Sequence, residues 1–229
     1  MTYSVGGLIG SDTVVVAPQT VATPASPVGS YPVSATVSGP NADKYTITVR
    51  DATLSVYKAP LYIAARNEAV TYGQTPAPPT AYTLTGFVNG DTSSVVSGAP
   101  VLTTTVTSTT PVGFYPIGVH VGTLGAANYY FKTTASGMGS VGVYRARLMA
   151  TANNLTMKQG GSVPTLTYSL TGFVNGDTAA TSVSGAPVLT TTATSASKPG
   201  KYPITIGVGT LSSKNYFFHA VNGVLTVTP

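Results

Sequence analysis

This 229-residue chain predicts a mainly β fold made of small modules in tandem, and three observations carry that prediction. The block TGFVNGDT stands at Thr85–Thr92 and again at Thr171–Thr178, and SGAPVLTTT follows each copy, at Ser97–Thr105 and Ser184–Thr192. Self-similarity at a fixed period is the mark of an array of units, not of one large core. Thr, Ser, Val and Tyr fill segments punctuated by 25 Gly and 17 Pro, which is the composition of strands between turns. Few windows combine a helical period with good helix formers.

Thr85 to Thr171 is a step of 86 and Ser97 to Ser184 a step of 87, so one residue is inserted between the two blocks. A unit of that length is the size of a small independently folding domain. A third copy lies at the start, where MTYSVGGLIGSDT (Met1–Thr13) aligns without a gap with LTYSLTGFVNGDT (Leu166–Thr178). The chain therefore starts inside a repeat and reads as a piece of a longer one. The landmarks divide it into a first repeat, 1–59, incomplete because it lacks its opening strand, a second repeat, 60–146, and a third, 147–229. Little chain is left over for linkers, so the modules are expected in an elongated, stiff array.

Each full repeat opens with a strand, Leu61–Gly73 in the second and Arg147–Met157 in the third. The next strand runs into Asn89-Gly90-Asp91 or Asn175-Gly176-Asp177. Asn and Gly tolerate the positive φ of tight turns. The Asp, with the Thr after it, is suited to cap a short helical turn through SSVV or AATSV. A calcium site would need six to eight oxygens, whereas each repeat brings this one Asp and few other acids, so the Asp reads as structural. Then comes a G-x-Y-P motif, at Pro27–Val33, Pro111–Ile117 and Lys198–Ile204. Tyr31, Tyr115 and Tyr202 are placed like the tyrosine corner of immunoglobulin-like sandwiches, whose hydroxyl bonds back to the loop before it. The Pro after each lacks a ladder donor, which puts it at a strand start or an edge. Ile204, Ile206 and Val208 alternate beyond it and are expected to face a core.

The next aromatic landmark, Tyr45, Tyr129 or Tyr216, falls 14 residues after that Tyr in every repeat. Tyr129, Tyr130 and Phe131, and likewise Tyr216, Phe217 and Phe218, put aromatics on both faces of a strand. One face must be core, and the other is a candidate stacking platform for a glycan or a protein; cross-strand packing is the plainer role. The closing strands are Ala52–Ala59, Gly139–Ala146 and Gly223–Pro229. The tyrosine corner favours an immunoglobulin-like β-sandwich for each module, and the helical turn between its second and third strands favours a β-grasp-like one. The sequence leaves both open.

The order is an opening strand ending in Tyr72-Gly73, then LTGFVNGDT, SGAPVLTTT, G-x-Y-P-I, N-Y-x-F and a final GxLTV strand. In that order the chain resembles, over essentially its whole length, the MBG repeat of the YGX type. Lys158-Gln159-Gly160-Gly161 stands where Tyr-Gly would in the third repeat, and the first has no counterpart of it. The resemblance implies a tandem module of large bacterial surface and adhesin-like proteins, with neighbouring repeats as partners and no defined ligand.

Composition removes several function classes. There is no Cys, hence no disulfide framework and no thiol chemistry. The 11 Lys and Arg behind the net charge of +5 are scattered singly, whereas nucleic-acid binders cluster theirs on a face. No apolar run approaches the length of a membrane span, and no basic, apolar leader follows Met1. His120 and His219 fall at non-equivalent places, and Glu68 is the only Glu. No catalytic set, phosphate loop or zinc spacing can be assembled. Neither an enzyme nor a metal or cofactor protein is expected. The sequence points to a structural stalk segment of a bacterial surface adhesin or extracellular fibre, at the cell surface or secreted. Two rivals stand beside it. Another chain's strand could complete repeat one and build a filament, or the exposed aromatics could bind glycan or host protein directly.

Overall fold

A computed structural model of the chain describes residues 1–133 and 138–229. The fold is mainly β, in small repeated pieces, as the strand composition and the duplication predict. The chain divides into two compact units. Met1–Ala64, Tyr82–Val101 and Val119–Gly137 make the first; Ala65–Ala81, Leu102–Gly118 and Met138–Pro229 make the second.

The first unit begins with β1 (Val15–Thr20), β2 (Gly29–Ser38) and β3 (Ala52–Val56), an antiparallel meander in the order β1-β2-β3. Pro32 pairs with Thr53 on one side, and the ladder to β1 on the other starts only at Val33. A residue without an N–H thus sits where the second ladder has not yet begun. Residues 3–6 and 46–50 form no strand. Repeat two then supplies β4 (Ala59–Ala65), β5 (Glu68–Thr71), β6 (Tyr82–Thr85), β7 (Val101–Thr103), β8 (Gly113–Pro116), β9 (Gly118–His120), β10 (Tyr129–Thr133) and β11 (Ser140–Tyr144). In the first unit β10, β4 and β6 form one sheet, with β4 parallel to β10 and Ala59–Ile63 facing Tyr129–Thr133. Leu61, Ile63 and Tyr129 from this sheet are buried.

In the second unit β11 lies between β5, to which it is parallel, and β8, to which it is antiparallel. Repeat three follows with β12 (Ala146–Ala152), β13 (Leu155–Lys158), β14 (Tyr168–Thr171), a helical turn α1 (Ala179–Ser182), β15 (Val188–Thr191), β16 (Gly200–Gly207), β17 (Tyr216–Val221) and β18 (Gly223–Thr228). These form the sheets β14-β12-β17 and β13-β18-β16-β15. The opening strand is β12 and β13 in succession and the closing strand is β17 and β18. Each changes sheet half-way, and the two run parallel throughout. Asparagines make the break: Asn154 Oδ1 accepts the Val224 N–H at 2.8 Å, and Asn222 Oδ1 accepts the Ile206 N–H at 3.1 Å. Asn67 does the same in repeat two, for the Ser140 N–H at 2.9 Å. Gly223 passes so close to the Ala152 carbonyl that no side chain would fit.

The core of repeat three lies between its sheets, where Ala150, Ala152, Met157, Ile204, Ile206, Leu225 and Val227 pack together. Val208 departs from the expected alternation: β16 ends at Gly207 and Val208 is exposed. First and last strands paired in parallel give mixed sheets, unlike the two antiparallel sheets of an immunoglobulin sandwich. Among the described residues no helix is long and apolar enough to cross a membrane.

Candidate functional site

The Asn-Gly-Asp loops are tight turns in which Asn89 and Asn175 both have φ 56° and Gly90 and Gly176 have φ 79° and 76°. A short helical turn follows in repeats two and three, at Ser93–Val95 and Ala179–Ser182, but threonine caps it, not aspartate. Thr92 Oγ1 accepts the Ser94 N–H at 3.4 Å, and Thr178 Oγ1 accepts the Thr181 N–H at 3.3 Å. In repeat one the only such turn lies elsewhere, at Ala42–Lys44.

The aspartates have other work. Tyr129 Oη donates to Asp91 Oδ2 at 2.6 Å, Tyr216 Oη to Asp177 Oδ2 at 2.7 Å, and Tyr45 Oη to Asp12 Oδ2 at 2.7 Å. Each hydroxyl in turn accepts a loop N–H, from Val88 at 3.1 Å, Val174 at 3.0 Å and Ile9 at 3.1 Å. The aromatic landmark of each repeat therefore pins its own turn. Burial pushes the Tyr216 hydroxyl up to about 12, and the hydrogen bond to Asp177 adds to the effect. Burial and Asp91 raise Tyr129 in the same direction.

The remaining aromatics separate by face. Tyr129 and Tyr216 are core residues, 2% and 1% exposed. Phe131 and Phe218 lie half-buried on the same face. Tyr130 and Phe217 point outward, and Lys132 Nζ stands 5.4 Å above the Tyr130 ring. The G-x-Y-P tyrosines bond back to the preceding loop: Tyr31 Oη to Pro27 O at 2.7 Å, Tyr115 Oη to Pro111 O at 2.9 Å and Tyr202 Oη to Lys198 O at 3.0 Å.

Within the second unit the pinned loop of repeat three receives a further partner from repeat two. Tyr72 Oη donates to the same Asp177 Oδ2 at 3.1 Å, and its ring meets Tyr216 edge-on with centroids 5.6 Å apart. Gly73, at φ 91°, lies so close to Val174 that a Cβ would collide with it. The Ser108 carbonyl accepts from both the Gly73 N–H, at 3.0 Å, and Asn175 Nδ2, at 2.8 Å. Asn215 Oδ1 accepts the Val112 N–H at 3.1 Å. The Tyr-Gly pair of one repeat thus reads the Asn-Gly-Asp loop of the next.

The first unit repeats one of these contacts, with Asn128 Oδ1 accepting the Val28 N–H at 3.1 Å. There, among the described residues, Asp91 has a single tyrosine, Tyr129. At the far end of repeat three the Gly160 N–H reaches Ser195 O at 3.2 Å, as Gly73 reaches Ser108, but no tyrosine precedes it. In the sequence Tyr45 and Tyr72 stand only as landmarks of the repeat, and Asp12 is given no role. The signal for the pairs within a repeat is a Tyr and an Asp that recur together 33, 38 and 39 residues apart. Chemically the arrangement fastens loops. Among the described residues no three His, Asp or Glu side chains converge on a point.

The family model for the MBG domain (YGX type) matches residues 1–55, 61–138 and 148–226. No curated protein matches the chain.

Proposed function

The chain belongs to the MBG domain family of the YGX type, and from that membership we propose that it is a load-bearing segment of a tandem-repeat stalk. Such a stalk would stand outside a bacterial cell, on its surface or in a secreted fibre, and carry adhesive domains. In this reading the chain performs no catalysis and takes no cofactor, and neighbouring repeats are its main partners.

One observation carries the proposal: the opening and closing strands of a repeat run side by side and parallel. The chain therefore comes into repeat three at one end of that pair, at Ala146, and leaves it at the other, at Thr228. Tension between those ends pulls the two strands along their length. Every ladder bond from Ala146↔Tyr216 to Lys158↔Thr228 is loaded together, where an antiparallel hairpin would peel one bond at a time. The fastening of Tyr72 to Asp177 passes load from repeat two to repeat three.

Single-molecule stretching tests this. Repeats two and three are expected to resist force and then release in separate steps, each lengthening the chain by on the order of 250 Å at about 3.3–3.6 Å per residue. Smooth extension at low force would exclude a load-bearing role. The competing reading, ligand capture by outward aromatics, rests on Tyr130 and Phe217, 41% and 46% exposed, with Lys132 Nζ beside the Tyr130 ring. Glycan-array signal that vanishes in a Phe217→Ala variant would favour capture.

A further inference from the structure

The net charge of +5 is not spread evenly over the repeats. Arg147, Lys158, Lys198, Lys201 and Lys214 stand in repeat three against one acid, Asp177, so this repeat holds four of the five charges. Asp177 is taken up by the Tyr72 and Tyr216 hydroxyls, and among the described residues the only ion pair joins Lys44 to Asp12. All five bases of repeat three are exposed.

Scattered in the sequence, three bases gather in the fold because β12 and β17 start side by side. Ala146 lies beside Tyr216, so Arg145, just before β12, and Lys214, just before β17, meet at one end of the pair. Arg145 Nε donates to the Lys214 carbonyl at 3.3 Å, which holds the guanidinium in place. Arg147 follows beside Phe217, and Met149 beside His219. The residues between them, Leu148 and Ala150, are fully buried, so these side chains stand on the outward face, where Phe217 is 46% exposed. Among the described residues no acid stands on this face. Repeat two has Pro60 in the place of Arg147 and Ala127 in the place of Lys214. Its β4–β10 ladder forms all the same, so the fold does not require the two cations.

We propose that the outward face of β12 and β17 binds an acidic polysaccharide whose charges are carboxylates, a polyuronate. A guanidinium matches a carboxylate with two parallel N–H···O bonds, and Arg145 and Arg147 set two guanidinium groups beside one aromatic ring. Phe217 offers an apolar surface to the C–H face of a sugar ring. Sites for single-stranded nucleic acid stack successive bases on several aromatics, and this face presents one phenyl ring. The inference goes beyond the load-bearing reading and does not depend on it. Stretching tests the strand ladder and binding tests this face, so either idea can fail alone. Phe217 is shared with the capture reading above, but here the ligand's carboxylates decide.

The test is calorimetric titration of the full chain with oligogalacturonate, with its fully methyl-esterified form and with a single-stranded DNA oligonucleotide. Saturable binding of oligogalacturonate is expected, weakening as salt is raised, with none of the ester, whose charges are masked. Arg147→Gln and Lys214→Ala should each weaken binding roughly tenfold, the worth of a hydrogen bond to a charged group, with unchanged thermal melts. Lys214→Ala restores the residue of repeat two and carries the test should Arg147→Gln lower the melt. Lys201→Gln, on the β13-β18-β16-β15 sheet, should bind as the parent does. Equal binding of the ester would overturn the proposal in favour of uncharged capture by the ring. An equal loss in Lys201→Gln would overturn it as attraction to net charge alone. DNA bound as tightly, and through the same residues, would make the face a nucleic-acid site instead. No binding of oligogalacturonate would overturn the proposal outright.

Discussion

Two phenols converge on one carboxylate oxygen at Asp177, and the Val174 N–H holds one of them, Tyr216, in turn. Removing the carboxylate leaves buried hydroxyls to be satisfied again, which costs about 1–3 kcal/mol. Asp177→Ala is expected to lower the urea midpoint accordingly, and Tyr72→Phe to lower it by less, since Tyr216 keeps its bond. The raised Tyr216 hydroxyl sets an alkaline limit. In the unfolded chain it ionises near its ordinary 10.0, and in the folded chain at about 12. The stability that it contributes is complete below pH 10 and is lost as pH rises from there through 12. A pH series of thermal melts should show this decline, and Tyr216→Phe should flatten it. Both partners of each pair stand in plain view in the sequence, Asp in the NGD block and Tyr in the NY block of repeats two and three, and Asp12 of GSD with Tyr45 of KY in repeat one. What hid the pairing is distance, because contacts 33 to 39 residues apart leave no local pattern.

The strands themselves were legible from alternation and turn residues, as were the Asn-Gly turns from their φ requirement. Strand partners were less so. Alternation tells which residues share a face and is silent on which strand lies alongside. The parallel pairing of first and last strands could not be read for that reason. The break inside the opening strand was likewise hidden, since Asn67 and Asn154 look like ordinary loop residues until their side chains are seen bonding the closing strand. Helix capping went to Thr92 and Thr178 because the neighbouring aspartates were already engaged by tyrosines. The Tyr72-Gly73 turn is the element most open to a single change. Gly73→Ala adds a Cβ at φ 91° and against Val174, at a cost of about 1–2 kcal/mol. Amide exchange should quicken at Gly73 and around Val174, while the β13-β18-β16-β15 sheet keeps its protection.

Across the whole molecule, stability is expected to be uneven. Repeat one buries little besides Ala42, whereas repeats two and three hold the fully buried side chains. Brief proteolysis should therefore cut first within 1–59, above all at 46–50, and spare 147–229; equal rates throughout would contradict the strand-by-strand account of the fold. Tandem organisation was legible at this scale from the duplicated blocks, since copies of one sequence must fold alike. The joint between copies was not, because it depends on a dipeptide that repeat two carries and repeat three does not. That dipeptide has a consequence for how such proteins diversify. Copying a module lengthens the array and leaves the module's interior untouched. Exchanging Tyr-Gly for a pair such as Gln159-Gly160 leaves the module's own strand pairing in place, yet decides whether a module grips its successor. Reach and compliance can therefore evolve as separate traits, one by duplication and the other by point mutation at a single turn.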